Sequence, residues 1–106
     1  SIYNCSGKKG ITFRGLIRAA AVACGRDPDG LDLRSFNPSE LDPKARKAFP
    51  LRLNHFLTDI TRVERELAWQ PSFDLAKGLA DSYTNDYALN PTAEPDFSSD
   101  VALIGE

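Results

Sequence analysis

The strongest constraint on the fold of this 106-residue chain is a helical pattern between Thr12 and Gly25. Thr12 is a typical N-cap residue, because its hydroxyl accepts a hydrogen bond from an amide of the first turn. Gly25 suits the left-handed backbone that ends many helices. Between them, apolar residues recur every three or four positions, which predicts one helix with a single apolar face. The apolar positions are Phe13, Leu16, Ile17, Ala20, Ala21 and Cys24.

Two further segments in the middle of the chain carry helical signals. Pro43 fits the first turn of a short helix that we expect within residues 39–48. Asp59 is placed to cap a helix that ends near Leu67. The apolar side of this second helix is expected to contain Ile60, Val63 and Leu67.

A last helix is expected after Ser72 or Asp74, either of which fits its N-cap, and it ends before Pro91. Gly78 lies inside it, where glycine costs about 1 kcal/mol relative to alanine. Such a glycine indicates that another element packs closely at that point. The apolar stripe of this helix has i, i+4 spacing and contains Leu75, Leu79, Tyr83 and Tyr87.

Three short segments are predicted to be strands, namely residues 2–5, 31–36 and 51–55. The second and third alternate between apolar and polar residues, as half-buried strands do. Three short strands among three or four helices are too few for a doubly wound sheet. The sequence therefore predicts a small α/β domain that packs on another domain.

The charge is distributed unevenly along the chain. The net charge is −2, yet residues 90–106 hold four acidic residues and no basic one, which leaves 13 basic and 11 acidic residues in residues 1–89. We therefore predict a domain over residues 1–89 and an acidic, extended tail over residues 90–106. No apolar run approaches 18 residues, so no membrane-spanning helix is expected.

Cys5 and Cys24 are interpreted as buried free thiols in a reducing compartment. Together with a single histidine they make a poor metal-ligand set, so no metal site is predicted. The chain starts on Ser1 without features of a signal peptide and contains no methionine. We expect it to be a piece of a longer protein.

Several motifs occur in a specific order over residues 2–89. The motifs are, in chain order, Ile2-Tyr3-Asn4, Gly10-Ile11-Thr12-Phe13, Asp59-Ile60-Thr61-Arg62, Arg65-Glu66-Leu67-Ala68-Trp69-Gln70-Pro71 and Leu75-Ala76-Lys77-Gly78-Leu79. This order resembles the C-terminal part of extended short-chain dehydrogenase/reductases, the family of NAD-dependent epimerases and dehydratases. The resemblance implies the small substrate-side subdomain of that α/β fold. It also implies an absent N-terminal Rossmann domain that binds NAD or NADP.

The substrate implied by this resemblance is a nucleotide-sugar-like molecule. Family members typically carry Arg-Pro-Gly-Asp where this chain has Phe49-Pro50-Leu51-Arg52, and their arginine contacts a diphosphate. Arg52 and His55 are the substrate-binding candidates here. The chain itself has neither a glycine-rich nucleotide turn nor a Tyr-x-x-x-Lys motif. No catalytic residue and no cofactor are therefore predicted in it, and the activity of the longer protein is left open.

A narrower resemblance favours a different function. Residues 47–52 with His55-Phe56, and the tail motif Glu94-Pro95-Asp96-Phe97, are similar to the chloroplast stem-loop RNA-binding branch of the same superfamily. Basic side chains around an aromatic one are typical of contacts to single-stranded RNA. The alternative hypothesis is thus an RNA-binding, ribosome-associated module located in the cytoplasm, or in the plastid stroma of a plant. Its predicted RNA contacts are Lys44, Arg46, Lys47 and Arg52. A purely structural or oligomer-contact role is the third hypothesis.

Overall fold

A computed structural model of the chain describes residues 1–46, 56–90 and 93–104, except for the side chains of Arg46 and Ala102. These residues form helices, turns and irregular segments, and none of them lies in a β-strand. The chain divides into two compact units. The first unit is Ser1–Leu31 with Phe56–Pro91, and the second is Asp32–His55 with Thr92–Glu106.

The first helix, α1, spans Phe13–Ala23 and confirms the prediction from its caps. The Thr12 hydroxyl accepts a hydrogen bond from the Gly15 amide at 3.0 Å. At the other end Gly25 has a φ of +76°, and the Arg26 amide donates to the Ala21 carbonyl at 2.8 Å. This is the Schellman arrangement, in which glycine takes the left-handed position without a steric cost. It fixes the backbone of Arg26 directly beyond the helix.

The helix α3 spans Thr61–Leu67, close to the predicted range. The Asp59 carboxylate accepts hydrogen bonds from the Thr61 amide at 2.9 Å and from the Thr61 hydroxyl at 2.6 Å. These two bonds lower the pKa of Asp59 below its usual value, because they favour the ionised carboxylate. Ala68 ends the helix with a φ of +52°, a left-handed conformation that favours glycine.

The helix α4 spans Leu75–Ser82, packs against α1 and is followed by a π-helical turn over Tyr83–Tyr87. Of the two predicted caps the structure selects Asp74, whose carboxylate accepts from the Lys77 amide at 2.8 Å. In the π-helical turn the Ala88 amide donates to the Tyr83 carbonyl at 2.9 Å, five residues back. The sequence predicted the stripe of tyrosines but not this wider turn.

The second unit contains short helical elements. A 3₁₀ turn spans Pro38–Glu40, α2 spans Pro43–Arg46 and α5 spans Ser98–Ile104. Pro43 opens α2 as predicted, and the Asp42 carboxylate accepts from the Ala45 amide at 2.7 Å. The helix α2 packs against α5. The sequence predicted an extended tail over residues 90–106, so α5 is a helix where extended chain was expected.

The predicted α/β class is wrong for the part of the chain that the structure describes. Residues 2–5 and 31–36 were expected to be strands, but neither segment is one. A strand is stable only when a neighbouring strand supplies the other half of the hydrogen-bond ladder, and alternation in the sequence does not reveal whether that partner exists. Ile2, for example, remains 88% exposed. The third expected strand, residues 51–55, lies outside the described residues.

Few side chains of the first unit are buried. Ala21 of α1, together with Ile60 and Val63 at α3, form the buried apolar core of its described residues. Leu67 was predicted to share that core, but it is 58% exposed while Val63 is 2% exposed. The spacing places Leu67 on the same side of α3, yet it lies in the final turn, where no other element covers it.

Gly78 does not have the close neighbour that the sequence led us to expect. A Cβ atom added there would meet the Phe73 Cβ at 3.7 Å, which is an ordinary van der Waals distance. We therefore expect Gly78→Ala to stabilise the protein by about 0.5–1 kcal/mol, since alanine loses less backbone entropy in a helix. Thermal denaturation measures the change.

The control for this substitution is Gly25→Ala. Because Gly25 has a φ of +76°, alanine there should destabilise the protein by about 1 kcal/mol. Equal effects of the two substitutions would contradict the assignment of their backbone conformations.

Candidate nucleic-acid interface

Every charged residue among the first 26 residues is basic. This segment, which we call the basic segment, contains Lys8, Lys9, Arg14, Arg18 and Arg26 and no aspartate or glutamate. Lys8 and Lys9 lie in the turn before α1, and Arg14 and Arg18 lie one turn apart on α1. The basic segment therefore concentrates positive charge along α1 and at both of its ends.

Two of these cations are held by other groups of the first unit. The Lys8 ammonium contacts the Glu64 carboxylate at 3.0 Å and donates to the Gln70 side-chain oxygen at 3.1 Å. Arg18 donates to the Pro28 carbonyl at 2.9 Å and to the Asp29 carboxylate at 2.8 Å. Both side chains therefore have structural roles in addition to their charge.

The other three cations of the basic segment remain available. Lys9, Arg14 and Arg26 are exposed, and no carboxylate within the described ranges lies at ion-pair distance from them. An exposed cation without a fixed partner binds an anion without first breaking an internal ion pair. These three side chains are the best-placed phosphate contacts in the described part of the chain.

The Glu66 carboxylate on α3 forms a small network with Arg62 of the same helix and with Tyr3 near the N-terminus. The Tyr3 hydroxyl donates to Glu66 Oε2 at 2.8 Å, and Arg62 pairs with Glu66 Oε1 at 3.1 Å. The Arg62 guanidinium also lies 5.3 Å from the centre of the Tyr3 ring. The Ser6 and Thr58 hydroxyls share a hydrogen bond as well. The start of the basic segment is thereby bonded to α3 and to Thr58, which precedes this helix.

A groove of about 610 Å³ opens between the second half of α1 and the end of α4. We call it the α1–α4 groove. Apolar side chains from both helices line it, among them Ile17, Ala21 and Leu79. Its polar lining includes Arg26, Asp86, Tyr83 and Tyr87. The groove thus combines an apolar surface with a cation of the basic segment.

The two tyrosines of the groove form a stacked pair. Their ring centroids lie 5.8 Å apart and their planes differ by 26°. The π-helical turn sets the positions of both rings, since each belongs to it. Tyr87 is 64% exposed, so much of its surface is free to contact a further ring.

The sequence-predicted site residues fall mainly elsewhere. Lys44 is exposed on α2 in the second unit, and Arg46 is the last residue of α2. Lys47, Arg52 and His55 lie outside the described residues. Their assignments as nucleotide-sugar or RNA contacts stay predictions. The sequence reasoning missed the basic segment, although the lack of acidic residues before Asp27 was a readable signal.

Both cysteines are free thiols, as predicted, but their predicted burial is wrong. Cys5 is exposed and Cys24 is half-buried, donating to the Ala21 carbonyl at 3.3 Å. In the described ranges, no three histidine, cysteine, aspartate or glutamate side chains are grouped as metal ligands. No helix within those ranges is long and apolar enough to cross a membrane.

The chain is similar over almost its whole length to a chloroplast protein. It is 38% identical over 107 aligned positions to the chloroplast stem-loop binding protein of 41 kDa b from Arabidopsis thaliana. The similarity covers 99% of this chain and 28% of that protein. The chain therefore spans less than a third of the length of this relative.

The resemblance to the stem-loop-binding branch agrees with this relative. No protein-family model matches the chain, and no solved structure matches it. The wider assignment to the C-terminal domain of extended short-chain dehydrogenase/reductases stays a prediction, and so does the NAD- or NADP-binding Rossmann domain.

Proposed function

We propose that this chain is an RNA-binding module that contacts the phosphate backbone of a stem-loop through its basic segment. The observation that carries the proposal is the presence of three exposed cations without carboxylate partners, Lys9, Arg14 and Arg26, in a segment devoid of acidic residues. Phosphate contacts supply most of the affinity in nucleic-acid binding and position the protein on the backbone.

The comparison supports this proposal over a nucleotide-sugar substrate. The relative is named for binding a stem-loop, and its similarity extends over 99% of this chain. In a stem-loop the A-form stem is recognised by its shape and backbone, while the loop exposes unpaired bases. The basic segment supplies the backbone contacts. The relative's name also places it in the chloroplast, which makes the plastid stroma our proposed compartment.

A second basic region is included among the proposed RNA contacts. Lys44, Arg46, Lys47 and Arg52 surround Phe49 in the sequence, and Lys44 is exposed on α2. We propose that this region adds phosphate contacts to those of the basic segment. The substitution of Arg46→Glu with Arg52→Glu separates the two contributions.

The proposal is tested by filter binding of the full-length protein to a stem-loop RNA at several salt concentrations. The three contacts of the basic segment alone predict that the logarithm of the binding constant falls against the logarithm of salt concentration with a slope of about −2 to −3. The affinity should then drop at least about 16- to 60-fold between 50 and 200 mM salt, and further contacts from the second basic region would increase the drop. Binding that is absent, or that does not change with salt, would refute the proposal.

A further inference from the structure

We infer that the α1–α4 groove binds an unpaired nucleobase from the loop of the RNA, stacked on the Tyr83–Tyr87 pair, with Arg26 contacting the adjoining phosphate. This inference rests on the proposed function, since it concerns the same RNA. It assigns base recognition to one side of the first unit and backbone binding to the basic segment.

The size and lining of the groove fit a small planar ligand. It is open to solvent, and its volume of about 610 Å³ is large enough to admit one base. Ile17, which is 47% exposed, and Leu79 provide apolar surface for the faces of a base.

The tyrosine pair provides a stacking surface. The rings are already stacked at 5.8 Å within the π-helical turn, and Tyr87 remains largely exposed. Tyrosine offers a large contact area at a low cost in conformational entropy, because it has two side-chain torsions. π-Helical turns occur frequently at functional sites, where they reposition side chains. Stacking on an aromatic ring accepts any base.

Arg26 supplies a positive charge at the groove that can contact the phosphate of a nucleotide. The bond from its amide to the Ala21 carbonyl fixes its backbone, and its side chain is exposed without a carboxylate partner in the ranges described. Arg26 is also the last cation of the basic segment, so it belongs both to the proposed backbone contacts and to the groove lining. The groove also contains the Asp86 carboxylate, whose Oδ1 accepts from the Asn90 amide group at 2.9 Å. Because a carboxylate repels a phosphate, the phosphate is expected on the Arg26 side of the groove.

A nucleotide explains these groups better than an apolar peptide does. An apolar helix seated in the groove would cover the Arg26 guanidinium without offering it a hydrogen-bond partner, and a buried charge without a partner is costly. A base with its phosphate satisfies the cation and covers the apolar surface together.

The experiment uses the full-length protein and two stem-loop RNAs that share one stem, one with an intact loop and one with abasic loop nucleotides. The wild-type protein should bind the abasic RNA about tenfold more weakly, because stacking on the tyrosine pair is lost. Tyr87→Ala should weaken binding of the intact RNA by a similar factor and remove the difference between the two RNAs. Tyr87→Phe, which keeps the ring, should retain the difference between the two RNAs.

Arg26→Gln is the second variant, and it keeps the experiment decisive if Tyr87→Ala does not fold. It should weaken both RNAs and reduce the salt slope by about one. Equal binding of intact and abasic RNA by the wild type would overturn the inference while leaving salt-dependent RNA binding intact. Failure of both RNAs to bind would instead refute the proposed function. A dimer that becomes a monomer in Tyr87→Ala, with the difference between the RNAs retained, would assign the groove to a second copy and overturn the inference.

Discussion

Reversing the charge of Lys9 and Arg14 together should weaken stem-loop RNA binding about 100-fold. Each side chain is exposed and has no carboxylate partner in the described part of the chain, so its substitution removes a phosphate contact without breaking an internal ion pair. A hydrogen bond to a charged group contributes about 1.5–3 kcal/mol, and the loss of two at the lower value corresponds to about 100-fold. Filter binding of Lys9→Glu with Arg14→Glu measures the loss, and the salt slope should fall by about two.

The matched control is Arg65→Glu with Lys77→Glu. Both residues are exposed in the first unit but lie outside the basic segment, on α3 and α4. The control pair produces the same change in net charge, so it separates a specific contact from general electrostatic attraction. If both pairs reduced the affinity equally, the basic segment would lose its assigned role.

Replacing Ile60 by alanine should destabilise the first unit by about 2–5 kcal/mol. Ile60 is buried beside Val63, and the described residues of this unit bury few other apolar side chains. Removal of a buried isoleucine side chain loses its transfer free energy and leaves a cavity. For a domain of this size each 1 kcal/mol lowers the melting temperature by roughly 4–8 °C, so thermal denaturation should show a large change.

Leu67→Ala provides the contrast on the same helix. Because Leu67 is mostly exposed, its truncation should change the free energy of unfolding by no more than about 0.5 kcal/mol. A loss as large as that of Ile60→Ala would show that Leu67 is buried, as its spacing in the sequence first suggested.

The helices α1 to α4 were predictable because their signals are local. Thr12 and Gly25 mark the ends of α1, and Asp59 precedes α3, through hydrogen bonds and backbone conformations set within a few residues. The N-cap Asp74 of α4 and the proline that opens α2 are local signals of the same kind. Exposure was not predictable in this way, because the same periodicity places Val63 and Leu67 on one side while only Val63 is covered by other elements.

The strands and the site required information that the sequence pattern does not contain. Residues 31–36 alternate, yet Arg34 pairs with Asp32 inside the segment at 3.0 Å and no ladder partner lies beside it in the described ranges. The basic segment is visible as composition, but only the structure separates the engaged Lys8 and Arg18 from the available cations. The α1–α4 groove is lined by residues about 60 positions apart in the sequence, so no local motif predicts it.

The π-helical turn at Tyr83–Tyr87 makes this region sensitive to the number of residues as well as to their identity. A hydrogen bond that reaches back five residues encloses one residue more than an α-helical bond does. Deletion of a single residue, such as Thr84, would let this turn become α-helical and would place Tyr87 three positions after Tyr83 instead of four. The two rings would then lose their present offset in the groove. Among related chains, a one-residue gap at this point should therefore coincide with loss of the tyrosine pair.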